Sequence, residues 1–337
     1  MPDAAAPPAR LRQVAARFLR PFLVVAGVAV VAYLIWRVGP AEVWGSITTL
    51  SWRLLLVVLF PTVLSQVLDA VGWHFAFAEP RASLGKLWAV RLAGEAVNLS
   101  TPTASVGGEP LKAYLLRPPV PLGEGLVSVV IDKTATAMGQ AAFLGIGLAV
   151  SLLLVPLPAR LGEAMGVLWA LQALGLGAFL LVQLRGPAGR SGRLLRRFGW
   201  GPSEANQTRL EGMDRGLAEF YGRRPGRFAA SLALHTLAWV VGSLEIYLVL
   251  RFLDLPVSLA TALVLQALGD GIRFASFMIP GGLGVLEGGN MAIFAAMGLG
   301  MSAGLTCTLV RRIREAVWAG AGYLVLAAMS RTAGHLQ

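Results

Sequence analysis

Residues 94–116 read GEAVNLSTPTASVGGEPLKAYLL, and residues 279–294 read IPGGLGVLEGGNMAIF. Both are apolar enough to enter a membrane, yet proline, paired glycines and acids interrupt them. Non-helical backbone is kept at membrane depth only where protein buries it or water reaches it. The enclosing segments, 83–117 and 258–300, are therefore expected to form re-entrant hairpins or broken helices. An offset of 175 brings them into register: Ser83-Leu84 meets Ser258-Leu259, Gly94-Glu95 meets Gly269-Asp270, and Val97 meets Ile272. Each copy then reaches a proline, Pro102 or Pro280, and a glycine pair. Glu109 follows Gly107-Gly108 in the first copy, and Glu287 follows Gly281-Gly282 in the second.

Composition sets the surroundings of these hairpins. Of 337 residues, 56% are hydrophobic and only 14% charged, against about 25% charged in a soluble domain. Too few polar residues remain to coat two soluble cores. Several nearly uncharged runs reach roughly 20 residues, enough to cross a hydrocarbon layer of ~30 Å. We expect an all-α, polytopic membrane protein with about six full spans and the two hairpins. The earlier spans are expected at Pro21–Trp36, Leu54–Ala78, Thr134–Val155, Ala164–Leu184 and Phe228–Leu250. A long, charge-bearing helix follows the second hairpin. Three of these spans separate the hairpins, and an odd number inverts the second copy relative to the first. Inverted repeats with interrupted helices are a transporter architecture, with the substrate site at the repeat interface.

Charge sets the orientation. Lys plus Arg is 29 against 18 acids, a net of +11, and only Lys86, Lys112 and Lys133 are not arginine. Residues 1–20 hold Arg10, Arg12, Arg17 and Arg20 against Asp3, and loop 185–227 holds ten Arg against four acids. Positive loops stay in the cytoplasm. This predicts a cytoplasmic basic N-terminus (1–20), a single transmembrane domain (21–330) and a cytoplasmic tail (331–337) in a bacterial inner membrane. No small-residue cleavage site follows the first apolar run, so it reads as an uncleaved span. Arg190–Phe198 is amphipathic and suits an anionic membrane surface; it reads either as a topology-setting loop or as a lipid sensor. Membrane topology accounts for the basic charge, so no nucleic-acid partner is expected. The single Cys307 excludes an internal disulfide. His74, His235 and His335 are too scattered for a metal site, and no cofactor is expected.

An ionised side chain at the bilayer centre costs ~2.5–3.5 kcal/mol on insertion scales. The candidates for a lipid-headgroup cavity are Glu95, Asn98, Glu109, Lys112, Asp132, Lys133, Asp270, Arg273, Glu287 and Arg312. Structural readings stand beside that one. Arg91 and Glu95, four apart, can pair on a helix, as can Arg311 and Glu315, and Asp270 and Arg273 can share a face. Asp69, His74, His235 and Glu245 read as structural or interfacial. Gly107, Gly108, Gly281, Gly282 and Gly284 permit positive φ and close backbone approach. A break there exposes the N–H groups that open the next half-helix to an anionic headgroup, or simply allows tight helix packing.

The quoted stretches, with VVIDKTA (129–135) between them, resemble the transmembrane flippase-like domain of the lysylphosphatidylglycerol synthase family over most of the chain. RRIREAVWAG (311–320) is reminiscent of the branch found with hopanoid biosynthesis. The resemblance implies an inner-membrane protein that moves lipid between leaflets. The longest polar segment has 43 residues, too short for the soluble domain that makes lysyl-lipid in full-length synthases. The expected partners are membrane lipids, anionic ones or their headgroups, and enzymes of lipid biosynthesis.

Three functions follow. The first is a non-enzymatic translocase without its own ATPase. The second is a scaffold for lipid assembly acting through 185–227, and the third is a membrane-embedded headgroup enzyme using Glu95, Glu109 or Asp132. Cysteines placed at Ser191 and Ser203 on a Cys307→Ser background should react only with reagents on the cytoplasmic side. Labelling from the opposite side alone would overturn the topology.

Overall fold

The computed structural model describes residues 39–79, 81–100, 107–186, 204–276, 279 and 282–334, together with 32, 33, 35 and 36. Residues 1–20, most of the expected span Pro21–Trp36, Arg190–Phe198 and Gly281 lie outside the described residues. The described chain is all helix: α1 (Pro40–Leu50), α2 (Arg53–Phe75), α3 (Leu84–Ser100), α4 (Glu109–Leu115), α5 (Leu122–Leu153), α6 (Ala159–Leu184), α7 (Glu204–Arg223), α8 (Pro225–Phe252), α9 (Leu259–Ala275), α10 (Val285–Ala296) and α11 (Met301–Gly334). Helices α2, α5, α6 and α8 are long and apolar enough to cross a membrane. Their outer faces carry uncovered apolar side chains, such as Leu55, Leu59 and Phe60 on α2 and Leu171, Leu174 and Leu181 on α6. The 34 residues of α11 extend ~51 Å at 1.5 Å per residue. The protein is an all-α polytopic membrane protein.

Helices α2 and α8 are antiparallel along their whole length. The Arg53 guanidinium lies 5.2 Å from the Phe252 ring centroid. At the other end Arg227 donates to the carbonyls of Phe77 and His74 at 2.7 and 2.8 Å. The link from α2 to α3 therefore lies beside the first turn of α8, whereas the link to α9 follows the last turn of α8. The α3–α4 and α9–α10 units thus enter from opposite ends of the bundle. Each doubles back toward the end it entered: Lys86 Nζ donates to the Leu116 carbonyl at 2.9 Å, and α10 runs back along α9, with Gly269 against Asn290 and Gly289 against Ile272.

The repeat is visible in the backbone. Helices α3 and α9 each have 17 residues, and Leu84–Ser100 and Leu259–Ala275 begin and end 175 positions apart. Their caps match as well. Ser83 Oγ accepts from Lys86 N at 3.3 Å, and Ser258 Oγ accepts from Thr261 N at 3.0 Å. Such a side chain satisfies a donor that an N-terminus leaves without an intrahelical partner. The return helices differ in length, seven residues in α4 against 12 in α10.

The sequence reading has the two hairpins meeting each other. In the structure α11 joins them, placing Gly322 against Leu92 and Ala96 of α3, and Gly304 against Asn290 and Met291 of α10. Charges on α11 that would be costly in lipid are thereby enclosed by the hairpins.

Helix α7 is amphipathic and does not span. Leu217 and Phe220 are buried while Arg209, Arg215 and Arg223 are exposed, the pattern of a helix lying on a surface. Tyr221 donates to Gln183 Oε1 of α6 at 2.9 Å, and Gln183 Nε2 donates to Thr134 Oγ1 of α5 at 2.9 Å. Burial pushes the Tyr221 hydroxyl up to about 12, so it stays protonated and remains a donor at neutral pH.

The first hairpin closes where two backbones touch. A Cβ on Gly108 would sit 2.1 Å from the Gly94 carbonyl oxygen. Gly108→Ala should therefore lower the thermal unfolding midpoint of the solubilised protein, at an overpacking cost of at least ~1–3 kcal/mol. Gly123→Ala on α5, where a Cβ meets nothing within 4 Å, should be neutral or stabilising. Equal midpoints for the two variants would contradict this crossing.

Candidate functional site

Two clusters of charge lie inside the helix bundle, one at each hairpin. At the first, Arg91 of α3 bridges Asp69 of α2 at 2.9 Å and Asp132 of α5 at 3.2 Å. His235 of α8 lies between the same two carboxylates, with Nδ1 2.7 Å from Asp69 and Nε2 2.9 Å from Asp132. One turn along α3, Glu95 accepts from Lys112 Nζ of α4 at 2.7 Å. Glu109 Oε1 accepts from Lys112 at 3.2 Å and Asn98 at 3.0 Å and pairs with Lys133 at 3.3 Å. Asn98 Oδ1 in turn accepts from Gly108 N at 2.7 Å, tying the two arms of the hairpin together. The fit is close: a Cβ on Gly94 would meet Lys112 Cγ at 2.4 Å.

At the second hairpin, Asp270 and Gln266 of α9 face Arg311 of α11, with Asp270 3.5 Å from the guanidinium. Arg273 pairs with Glu315 at 2.8 Å. Arg312 pairs with Glu287 at 3.0 Å and Glu315 at 3.4 Å. Glu245 of α8 pairs with Arg314 at 2.6 Å. The turn before α10 needs glycine at Gly284, whose φ is 80° and whose N–H donates to Glu287 Oε2 at 2.7 Å. Gly282, with φ 59°, precedes it in the same left-handed region.

The clusters are counterparts. Glu109 pairs with Lys133 as Glu287, 178 positions later, pairs with Arg312, 179 positions later. Arg91 bonds Asp132 as Gln266, 175 later, bonds Arg311, 179 later, with donor and acceptor exchanged. Each also balances its charge. Asp69, Glu95, Glu109 and Asp132 face Arg91, Lys112, Lys133 and, when protonated, His235. Glu245, Asp270, Glu287 and Glu315 face four arginines. His235 and Glu245 are ten residues apart on α8, so the clusters are separated by ~15 Å along that helix.

The structure thus distributes the ten candidates over two places. Glu95, Asn98, Glu109, Lys112, Asp132 and Lys133 are together at the first hairpin, and Asp270, Arg273, Glu287 and Arg312 at the second. Several expected partners differ. Arg91 bonds Asp69 and Asp132 instead of Glu95, and Arg311 bonds Gln266 and Asp270 instead of Glu315. Asp270 and Arg273 each bind α11 rather than each other. Lys112 is buried between two carboxylates, and Lys133, with its side chain 38% exposed, is the more open cation. Asp69, His235, Glu245, Gln266 and Arg314 were not among the site candidates. Each is a polar residue in a membrane helix, a visible signal, but each has a partner on another helix, 22 positions away (Asp69 to Arg91) or more.

Three buried atoms in these clusters have no hydrogen-bond partner: Glu109 Oε2 and Glu245 Oε1, both acceptors, and Arg312 Nη2, a donor. A cavity of about 740 Å³ opens between the end of α2, the start of α5 and α7. Arg117, Arg209, Glu124 and Glu219 line it, and it reaches Ser128 and Ile131, the residue before Asp132.

Paired broken helices entering from opposite ends around buried, self-compensating charge define an inverted-repeat membrane fold of the kind found in transporters. The lysylphosphatidylglycerol synthase TM region family matches residues 24–320, and the chain belongs to that membrane-embedded, lipid-related family. Among its relatives is a UPF0104 membrane protein of Methanothermobacter thermautotrophicus (strain Delta H). It is 25% identical over 313 residues, covering 86% of this chain and 89% of the relative. No solved structure matches the chain.

The compensation can be tested at Arg314, the ion-pair partner of Glu245. Arg314→Ala strands a buried carboxylate and should cost ~3–5 kcal/mol in a denaturation experiment. The double variant Arg314→Leu/Glu245→Leu should be less destabilised than that single variant. A double variant that loses at least as much would show that the charges do not compensate each other.

Proposed function

We propose that the protein is a lipid translocase that moves a lipid headgroup between leaflets along the two hairpins, without an ATPase of its own. The observation that carries this reading is the pair of equivalent charge clusters, one at each oppositely entered hairpin. A headgroup crossing the hydrocarbon layer needs polar partners from both sides, and the clusters supply them at two depths. Glu109 Oε2 suits a headgroup hydroxyl or ammonium, and Arg312 Nη2 suits a phosphate oxygen. The cavity beside α7, with Arg117, Arg209, Glu124 and Glu219 at its wall, supports access for a polar headgroup from that end.

The arginine distribution supports placing that end in the cytoplasm of a cell with the protein in its inner membrane. The polar atoms serve as headgroup ligands with no bond made or broken, so the translocase is not an enzyme. Its substrate is a phospholipid or related membrane lipid, with hopanoid lipids in the same test set.

The experiment is leaflet exchange in proteoliposomes containing labelled lipids of several headgroups and hopanoids. Wild-type protein should accelerate exchange of at least one lipid. Lys133→Gln and Arg312→Gln each remove a charged hydrogen-bonding group worth ~1.5–3 kcal/mol and should slow anionic lipids about tenfold or more, and neutral lipids less. Glu109→Gln and Glu287→Gln should abolish exchange in protein that still inserts and folds. Wild-type rates in all four variants would overturn the reading.

A further inference from the structure

The two clusters differ in one chemical respect. The cations of the second are all arginine, which stays protonated in proteins. The first contains a histidine, whose ordinary range spans neutral pH. His235 is fully buried, and each ring nitrogen meets a different aspartate, Asp69 at 2.7 Å and Asp132 at 2.9 Å. With Arg91 also bound to both aspartates, imidazolium makes two cations against two anions. A neutral ring has one N–H. One of the two short contacts would then set a lone pair against a carboxylate, and the group would carry a net negative charge in the bundle interior.

We propose that His235, held between Asp69 and Asp132, is an exchangeable proton-binding site that couples proton movement to the first hairpin; the coupling part rests on the translocase reading. The proton leaves from Nδ1 to Asp69 Oδ1 and from there to water. Asp69 is the open member of the bridge: its side chain is 19% exposed, against 3% for Asp132 and 0% for His235. Thr136 Oγ1, 3.4 Å from Nδ1, can donate to the bare nitrogen. Arg91 then remains the sole cation between two carboxylates. Because Arg91 lies on α3, one turn before Glu95, the change in charge bears directly on the hairpin and on Lys112. Among the described residues, no other packed element presents a charge to the ring. Helices α9 and α11 turn Asp270 and Arg314 toward Arg311 and Glu245. Helix α7 meets Phe228 through Tyr221, and α1 meets the far end of α8 through Leu50.

The test uses the full chain in lipid nanodiscs with His74→Gln and His335→Gln, leaving His235 as the sole histidine among the chain's three. Nitrogen-15 NMR of labelled histidine should show both ring nitrogens protonated at low pH. One proton should be lost in a single step between about pH 5 and about pH 10, and Asp69→Asn should displace that step by about one pH unit or more. An unchanged protonation state across that range overturns the proposal without any mutation inside the bridge. In proteoliposomes with a trapped pH dye, a lipid gradient should drive proton movement, and His235→Gln should abolish it. Lipid exchange without proton movement overturns the coupling. Absence of lipid exchange in wild-type protein overturns the translocase reading, while the titration still decides the proton site.

Discussion

A charge inside the hydrocarbon layer has to be compensated in place, because no water is there to do it. This constraint organises the molecule. Helix α11 places Arg311, Arg312, Arg314 and Glu315 near its middle, where lipid contact would be costly. The α9–α10 hairpin and Glu245 of α8 surround them with Asp270, Glu287 and the Glu245 carboxylate. At the other hairpin the same requirement draws Asp69 and Asp132 from two separate spans onto Arg91, with His235 of a third span bridging the same two carboxylates. The helix breaks follow from it as well. A broken helix can turn Glu109 or Glu287 toward a cation on the next long helix and return to the end it entered.

The two halves reach neutrality by different chemistry. The second cluster is built on guanidinium groups, which hold fixed charge and grip carboxylates in defined geometry. The first is built on a histidine, two lysines and one arginine, and so contains the member able to change its charge near neutral pH. One hairpin thus resembles a fixed clamp and the other a responsive one. The counterpart bonds, Arg91 with Asp132 and Arg311 with Gln266, have exchanged polarity, so corresponding places in the two repeats carry different chemistry.

Much of the fold was legible in the sequence. The offset of 175 relates α3 to α9 as it related the segments 83–117 and 258–300 in the sequence, and the matched Ser83 and Ser258 are the residues that cap the two helices. Four apolar runs gave the long helices. The return arms were less legible, since α4 and α10 differ in length and shift the register to 178 and then 179. Pairing by helical spacing failed for Arg91 and Arg311. A neighbour four residues away on the same helix competes with carboxylates brought in by other helices, and the tertiary partner won in both cases. The roles of Asp69, His235 and Glu245 were hidden for the same reason: their partners lie on other helices, from 22 positions away (Asp69 to Arg91) to 166 (Asp69 to His235).

The central claim is that these buried charges receive a lipid headgroup instead of merely holding the helices together. Electron cryo-microscopy of the protein in nanodiscs of its native lipids tests it most directly. The account predicts headgroup density inside the bundle, in contact with Glu109 and Lys133 at the first hairpin or with Arg312 at the second. Lipid density confined to the outer apolar faces of α2 and α6, with both clusters closed on themselves, would contradict it.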